Sequence, residues 1–144
     1  MKTSEFINIV KEIPTPEEVE VFRLFMTLNE ELFVTPVREV IVKRGGYTLL
    51  QTGGTPQKAG AINGICHKPA NMTLADCMDM LLDLTQKNEL LTYESSGADL
   101  WEDVTTGTPH PSAQVAHLFY DDKSKRLFLA GDKYMPQVIS NQIA

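Results

Sequence analysis

The chain has 144 residues, of which 42% are hydrophobic and 22% are charged, and its formal net charge is −6. These values are typical of one globular domain with its own core, so we predict a single domain over residues 1–144. The excess of acidic groups disfavours general binding to nucleic acids or to anionic membranes.

Two cysteines and the apolar pattern near the N-terminus bear on the cellular compartment. Cys66 and Cys77 are too few for a disulfide framework or a zinc site. No apolar segment of a secretory signal follows the charged start, and no run reaches the roughly 18–20 apolar residues of a membrane span. We therefore expect a cytoplasmic protein with reduced thiols.

The first predicted elements are a short N-terminal helix and a long second helix. Thr3 or Ser4 is a suitable N-cap for the first helix, and the next proline along the chain ends it. The second helix is predicted over residues 15–33, where Thr15 and Glu18 have the spacing of a capping box. On a helical projection its apolar side chains cover an arc of roughly 220°, about twice the width that one core contact needs.

A hairpin and a glycine-rich loop follow. The segments Val37–Lys43 and Tyr47–Thr52 are rich in β-branched and aromatic residues, and Gly45-Gly46 lies between them. Two glycines accept the positive φ angles of a tight hairpin turn at little cost. Residues 53–71 contain four glycines, two lysines and no acidic residue, so we predict a flexible, exposed loop there.

The third predicted helix covers residues 73–88. Thr73 is its expected N-cap, and Asp76 has the spacing of the partner residue in a capping box. The acidic residues of this segment form one narrow polar stripe, and apolar side chains again cover roughly 220° of the helix.

Two later regions complete the predicted sheet. Glu89–Tyr93 has the composition of a strand, and Val115–Tyr120 with Arg126–Ala130 form a second hairpin that closes at an Asp-Asp-Lys-Ser-Lys turn. The predicted fold class is therefore α+β. Two or three hairpin-type strand pairs make an antiparallel sheet, and the two main helices and the short N-terminal helix pack on it.

The glycine-rich loop does not match a known phosphate motif. A P-loop needs four residues between its glycines and then Lys-Ser/Thr, whereas Gly54 and Gly60 have five residues between them and Ala61 follows. Lysines near a helix N-terminus nevertheless attract anions. The alternative function is therefore binding of a small ligand or phosphate, or enzymatic action without a recognisable motif, at residues 53–73. The residues that would form this site are Lys58, Cys66, His67, Lys68 and Thr73.

Catalysis and metal binding have less support in the sequence. Cys66 and His67 are neighbours, and neighbouring side chains on a strand point to opposite faces, so the imidazole is badly placed to activate the thiol. His110 and His117 are seven residues apart and lack the short spacing that fixes two metal ligands. We expect no metal site and no cofactor, and the residue pattern leans away from an enzyme.

The main positive feature is the width of the apolar surface on the two long helices. If each helix left one side in water, about five apolar side chains would be exposed, at a cost of roughly 7–15 kcal/mol. Either the chain buries this surface between sheet and helix, or a second chain covers it. We favour a non-enzymatic protein–protein interaction or assembly protein that acts by self-association or by docking to a protein partner. The predicted interface residues are Val19, Val21, Leu24, Leu28, Cys77, Met80 and Leu84.

Overall fold

The structure is a computed structural model that describes residues 1–26, 32–43, 46–53, 57–58, 72–82, 87–94 and 112–131. In these ranges it contains helix α1 (Thr3–Val10), helix α2 (Leu74–Leu82) and a 3-10 turn (Pro16–Glu18). The strands are β1 (Glu20–Met26), β2 (Leu32–Lys43), β3 (Tyr47–Thr52), β4 (Gln57–Lys58), β5 (Glu89–Glu94), β6 (Ser112–Gln114), β7 (His117–Asp121) and β8 (Arg126–Ala130). The general α+β prediction is confirmed.

The strands form one mixed sheet in the order β6-β5-β3-β2-β1-β8-β7, and the short strand β4 pairs with β2 outside this order. Four neighbouring pairs on the path are antiparallel, but β3 with β5 and β1 with β8 are parallel. The prediction of a purely antiparallel sheet is therefore wrong. Parallel neighbours need a long crossover connection, and α2 lies within the one that joins β3 to β5.

The two ends of this strand order are close together in the chain, because only two residues separate β6 from β7. Consecutive Cα atoms are 3.8 Å apart, so Gln114 and His117 are at most about 11 Å apart. The first and last strands of a flat seven-stranded sheet would be roughly 29 Å apart. The sheet must therefore curl back on itself. Two hydrogen bonds mark the corner: Val115 N–H donates to Leu90 O and Ala116 N–H donates to Ala130 O, both at 2.9 Å.

The core lies on the concave side of the curled sheet, together with the inner faces of α1 and α2. Its members are buried side chains from both helices, from five of the strands and from the residues next to β1 and β6: Phe6, Val10, Val19, Val21, Val37, Val40, Leu50, Leu74, Cys77, Leu81, Leu90, Val115, Leu127 and Leu129. A buried polar contact ties α1 to this core, because Thr3 Oγ1 donates to the backbone oxygen of Asn88 at 3.1 Å.

The long helix predicted over residues 15–33 is wrong. Only Pro16–Glu18 makes a 3-10 turn, residues 20–26 form β1 and β2 begins at Leu32. The start signal fails at Thr15, whose backbone is left-handed with φ of 49° and which makes no capping hydrogen bond through its side chain. Apolar residues all around a helical projection are also what a central strand needs when both of its faces are buried.

The third predicted helix is present but shorter than the prediction. α2 covers Leu74–Leu82, and Lys87 and Asn88 are not helical, because β5 begins directly after them at Glu89. Its predicted capping box is observed. Thr73 N–H donates to Asp76 Oδ2 and Asp76 N–H donates to Thr73 Oγ1, both at 3.2 Å.

Both predicted hairpin regions contain antiparallel strand pairs. β2 and β3 pair from Val37–Thr52 to Lys43–Tyr47, and Gly46 in the turn has φ of 86°. β7 and β8 pair from His117–Ala130 to Asp121–Arg126. Of the predicted flexible loop, residues 53 and 57–58 are described. The rest of that prediction, including residues 59–71, lies outside the described residues.

Candidate functional site

Three of the interface residues predicted within residues 15–33 are buried within the chain itself. Val19, Val21 and Leu24 are 0–1% exposed. Val21 packs in the core on the helix side of the sheet, and Leu24 belongs to the opposite face of β1. A second chain is not needed to cover them, so they do not supply the exposed face that the interface prediction requires.

On α2, the predicted interface residues have two different environments. Cys77 is buried in the core, whereas Met80 is 40% exposed beside the exposed carboxylate of Asp79. Burial raises the pKa of the Cys77 thiol to about 12, and the nearby charge of Asp76 adds to the effect. Cys77 therefore stays protonated at neutral pH and is not a nucleophile. Leu28 and Leu84 lie outside the described residues.

Thr73, the one predicted ligand residue whose side chain is described, serves as a helix cap. Its hydroxyl accepts from Asp76 N–H, and Leu74 N–H donates to Val19 O at 2.7 Å. Two first-turn amides of α2 are thus already bound by protein oxygens, and a carboxylate stands beside them. Anion binding at a helix N-terminus uses those same amides and a positive environment. Thr73 therefore contributes structure here, and its contacts give no support to a phosphate site.

The other predicted ligand residues are not brought together in the ranges that the structure covers. The backbone of Lys58 pairs with Phe33 at the start of β2. Cys66, His67 and Lys68 lie outside the described residues, and so does His110. Within the described ranges, no group of three or more His, Cys, Asp or Glu side chains has the geometry of a metal site. None of the described helices is long and apolar enough to cross a membrane.

The convex face of the sheet carries a row of aromatic rings across three neighbouring strands. Phe22 of β1 pairs in register with Phe128 of β8, and Phe128 pairs with Phe119 of β7. The Phe22 and Phe128 rings are stacked with their centroids 6.0 Å apart, and the Arg126 guanidinium lies 5.8 Å from the Phe22 centroid. Phe22 and Phe128 are buried, but Phe119 at the end of the row is only half-buried.

β7 is the last strand of the sheet order, and all five of its residues are half-buried. Leu118 and Tyr120 pack against the core on the concave side. His117 and Phe119 lie on the convex side with their rings 6.3 Å apart. Among the described residues, β8 is the only strand that pairs with β7 along the length Leu118–Asp121. Along residues 118–121, one edge of this apolar strand therefore has no strand partner among the described residues.

A hydrogen-bonded turn fixes the far end of β7. Ser124 Oγ donates to Asp121 Oδ2 at 2.7 Å, and Lys123 N–H donates to Asp121 Oδ1 at 3.1 Å. The hydrogen bond from Ser124 is the main cause that lowers the pKa of the Asp121 carboxyl below its usual value. Asp121 is therefore an anion at neutral pH, placed at the exit of the strand.

Sequence reasoning found β7 as a strand but did not identify it as a site. The signal was present, since Leu118, Phe119 and Tyr120 put bulky apolar side chains on both faces of a short strand. That pattern acquires meaning only once the strand order places β7 at an edge.

Comparison with protein-family models, with curated proteins and with solved structures finds no match to this chain.

Proposed function

We propose that the protein is a non-enzymatic interaction or assembly protein that acts by self-association or by docking to a protein partner. The observation that carries this proposal is strand β7, which ends the sheet order with half-buried apolar side chains on both faces. An edge strand of this kind is a template for pairing with another chain. Addition of a strand to a sheet edge is a recurrent mode of protein recognition.

The composition of β7 supports docking because its central residues are apolar and include none of the residues that commonly protect an edge. Soluble proteins commonly place lysine, proline or a bulge on exposed edges to prevent pairing. The three central residues of β7 are Leu118, Phe119 and Tyr120, and the first charge toward the turn is Asp121. Pairing would bury apolar area on both faces at once, and each square ångström of apolar area buried is worth about 25 cal/mol.

The test is the mass of the purified chain in solution, measured by sedimentation over a wide range of concentrations. Association gives a mass above the 16.1 kDa of one chain. Phe119→Lys places a charge at the edge and should reduce the mass to that of one chain. Val42→Lys is the matched control, because Val42 is 44% exposed on another strand. It should leave the mass unchanged.

The outcomes separate the possible surfaces. If Met80→Asp lowers the mass and Phe119→Lys does not, the protein associates through the exposed side of α2, and the proposed function stands on a different surface. A chain that remains monomeric at high concentration and retains no protein when used as bait in a pull-down contradicts the proposed function.

A further inference from the structure

The concave side of the curled sheet changes from apolar to polar toward one end. In each of four neighbouring strands, an apolar core residue is followed two positions away by a polar residue, in all four strands toward the same end of the sheet. Residues two apart in a strand lie on the same face. The four pairs are Val21 and Arg23 in β1, Val37 and Thr35 in β2, Leu50 and Thr52 in β3, and Leu90 and Thr92 in β5.

We propose that these four polar residues, the polar layer, line a binding site for a small oxyanion, either a carboxylate or a phosphate group. All four are buried, with 0–3% of their surface exposed. Buried polar groups need hydrogen-bond partners, and ligand sites commonly combine an apolar wall with a few convergent polar groups inside a curled sheet. This site goes beyond the proposed function, since it lies on the opposite side of the sheet from the aromatic row.

The polar layer is compact. Arg23 and Thr35 are direct partners in the register between β1 and β2, so their Cβ atoms lie about 4.5–5.5 Å apart. Thr52 lies diagonally from Thr35 on β3, and Thr92 lies diagonally from Thr52 on β5. A ligand group of only a few atoms can therefore contact the guanidinium and the nearest hydroxyl at the same time.

The hydroxyl of Thr35 points most directly to a ligand. It is fully buried, and among the residues that the structure describes it has no hydrogen-bond partner. Such a group is costly, and an oxyanion held beside Arg23 would accept its proton. Thr48, toward the apolar end of β3, shows the contrast. It is equally buried, but its hydroxyl accepts a hydrogen bond from Asn88 Nδ2 at 3.1 Å.

Arg23 determines the chemical class of the ligand. A guanidinium stays charged and presents five N–H donors in a planar fork that matches two oxygens of a carboxylate or a phosphate. Its register partners are Thr35 and Leu129, neither of which is acidic. Arg23, Thr52 and Thr92 also have interactions within the chain. One acceptor occupies only part of the five donors, so we assign the oxyanion to Arg23 and Thr35 and the wall of the site to the other two residues.

Titration with inorganic phosphate and, separately, with acetate tests the site. Chloride at the same ionic strength corrects for general screening of charges. We expect at least one of the two oxyanions to raise the melting temperature of the wild type above the chloride control, because a ligand that binds only the folded chain stabilises it. The anion that gives the larger rise identifies the preferred group, and calorimetric titration with that anion gives its dissociation constant.

Thr35→Val and Thr48→Val are a matched pair, because each replaces a fully buried threonine on the concave face by a residue of the same shape. Thr35→Val should weaken binding of the anion roughly tenfold or more, the usual effect of losing a hydrogen bond to a charged group. It should leave the melting temperature without the anion unchanged or higher. Thr48→Val should lower that melting temperature, because it removes the partner of Asn88, and it should leave the dissociation constant unchanged.

Arg23→Met retains most of the length of the side chain and removes its charge, so it should abolish the response to the anion. If this variant fails to fold by circular dichroism, the two threonine variants decide. The site is overturned if neither anion raises the melting temperature of the wild type, or if Arg23→Met or Thr35→Val retains the full rise, since the anion would then bind elsewhere. Equal weakening by Thr35→Val and Thr48→Val also overturns it, because disturbed packing would then be the cause. The sedimentation mass tests the proposed function separately from all of these results.

Discussion

Strands β1 and β7 both carry apolar side chains on both faces, but only β1 is buried on both. β1 lies in the middle of the sheet between β2 and β8, and its residues Val21, Phe22 and Leu24 are 0–1% exposed. β7 lies at the end of the order and every residue in it is half-buried. The two strands therefore have the same kind of pattern and differ in position.

Apolar side chains on both faces of a strand therefore have two different consequences, depending on where the strand lies in the sheet. In β1 the excess is satisfied by the fold, because helices and core side chains cover one face and the convex face is also buried. In β7 the same excess is left partly exposed at an edge, where a further strand would complete it. Apolar width by itself therefore does not indicate an interface, and the proposed function rests on apolar width at a sheet edge.

The largest difference in stability between β1 and β7 is expected when one aromatic ring is truncated in each strand. Phe22→Ala removes a fully buried ring that stacks on Phe128, so we expect a loss of about 3–5 kcal/mol in the free energy of unfolding. Phe119→Ala should cost the monomer only about 1 kcal/mol, since that ring is half-buried. Urea unfolding of both variants, at a concentration low enough to keep the wild type monomeric, measures the two values.

Association should show the opposite ranking. Phe119→Ala should weaken the concentration-dependent rise in sedimentation mass, whereas the folded fraction of Phe22→Ala should retain it. Equal losses of stability in the two variants would break the comparison, because they would mean that β7 is as enclosed as β1.

Local signals in the sequence were sufficient for the parts of the fold that depend on neighbours in the chain. The capping box of Thr73 and Asp76 was predictable because both partners lie within four residues. The positive φ of Gly46 was predictable because glycine accepts that angle and flanking β-branched strands demand a turn.

The parts that failed depend on distant partners. β1 pairs with β8, which follows it by about a hundred residues, and no sequence signal near residue 20 indicates this pairing. A central strand buried on both faces lacks the simple alternation of a half-buried strand, so its apolar run gives the same pattern as a wide apolar helix. The same pattern underlies the prediction of Val19 and Leu24 as interface residues, and no local signal indicates that β7 lies at an edge of the sheet.

The burial of the core around β1 can be tested through Cys77, which packs in the same core as Val21. Its thiol pKa is raised from 9.0 to about 12. Between these values the unfolded chain has lost the thiol proton and the folded chain retains it, so the free energy of unfolding falls as pH rises. The expected slope is at most about 1.4 kcal/mol per pH unit.

Urea unfolding at about pH 8 and about pH 10, for the wild type and for Cys77→Ala, measures this contribution. The other titrating groups are common to both proteins and cancel in the difference. Stability should fall more between the two pH values in the wild type than in the variant. An identical fall in both would show that the thiol is not enclosed in the folded chain.

A smaller effect is expected at the contact between α2 and the start of β1. Thr73 caps the helix, and Leu74 N–H donates to Val19 O directly before β1. Thr73→Ala removes the capping oxygen and should cost about 1 kcal/mol, while Thr73→Ser retains the hydroxyl and should cost a few tenths. Urea unfolding distinguishes the two, and a loss with Ser as large as with Ala would assign the effect to packing of the threonine methyl group.

The smallest effect is expected at the exposed ion pair between Glu18 and Lys125, which links the segment before β1 to the turn between β7 and β8. The Lys125 ammonium donates a hydrogen bond to Glu18 and lowers the pKa of that carboxyl. Such an attraction would be present above the ordinary pKa of glutamate and lost in acid. Because both groups are exposed, solvent and salt screen the attraction, so Glu18→Gln should leave the urea midpoint within error of the wild type.

The backbone of Lys125 should matter more than its charge, since its φ of 54° is left-handed. Lys125→Asn abolishes the ion pair but accepts that angle, whereas Lys125→Val abolishes the pair and strains the turn. If the turn holds β7 in its register on β8, the Asn variant should associate like the wild type and the Val variant should associate less. Equally weakened association in both variants would instead assign the effect to the lost charge. The register of β7 on β8 would then depend on the ion pair and not on the turn.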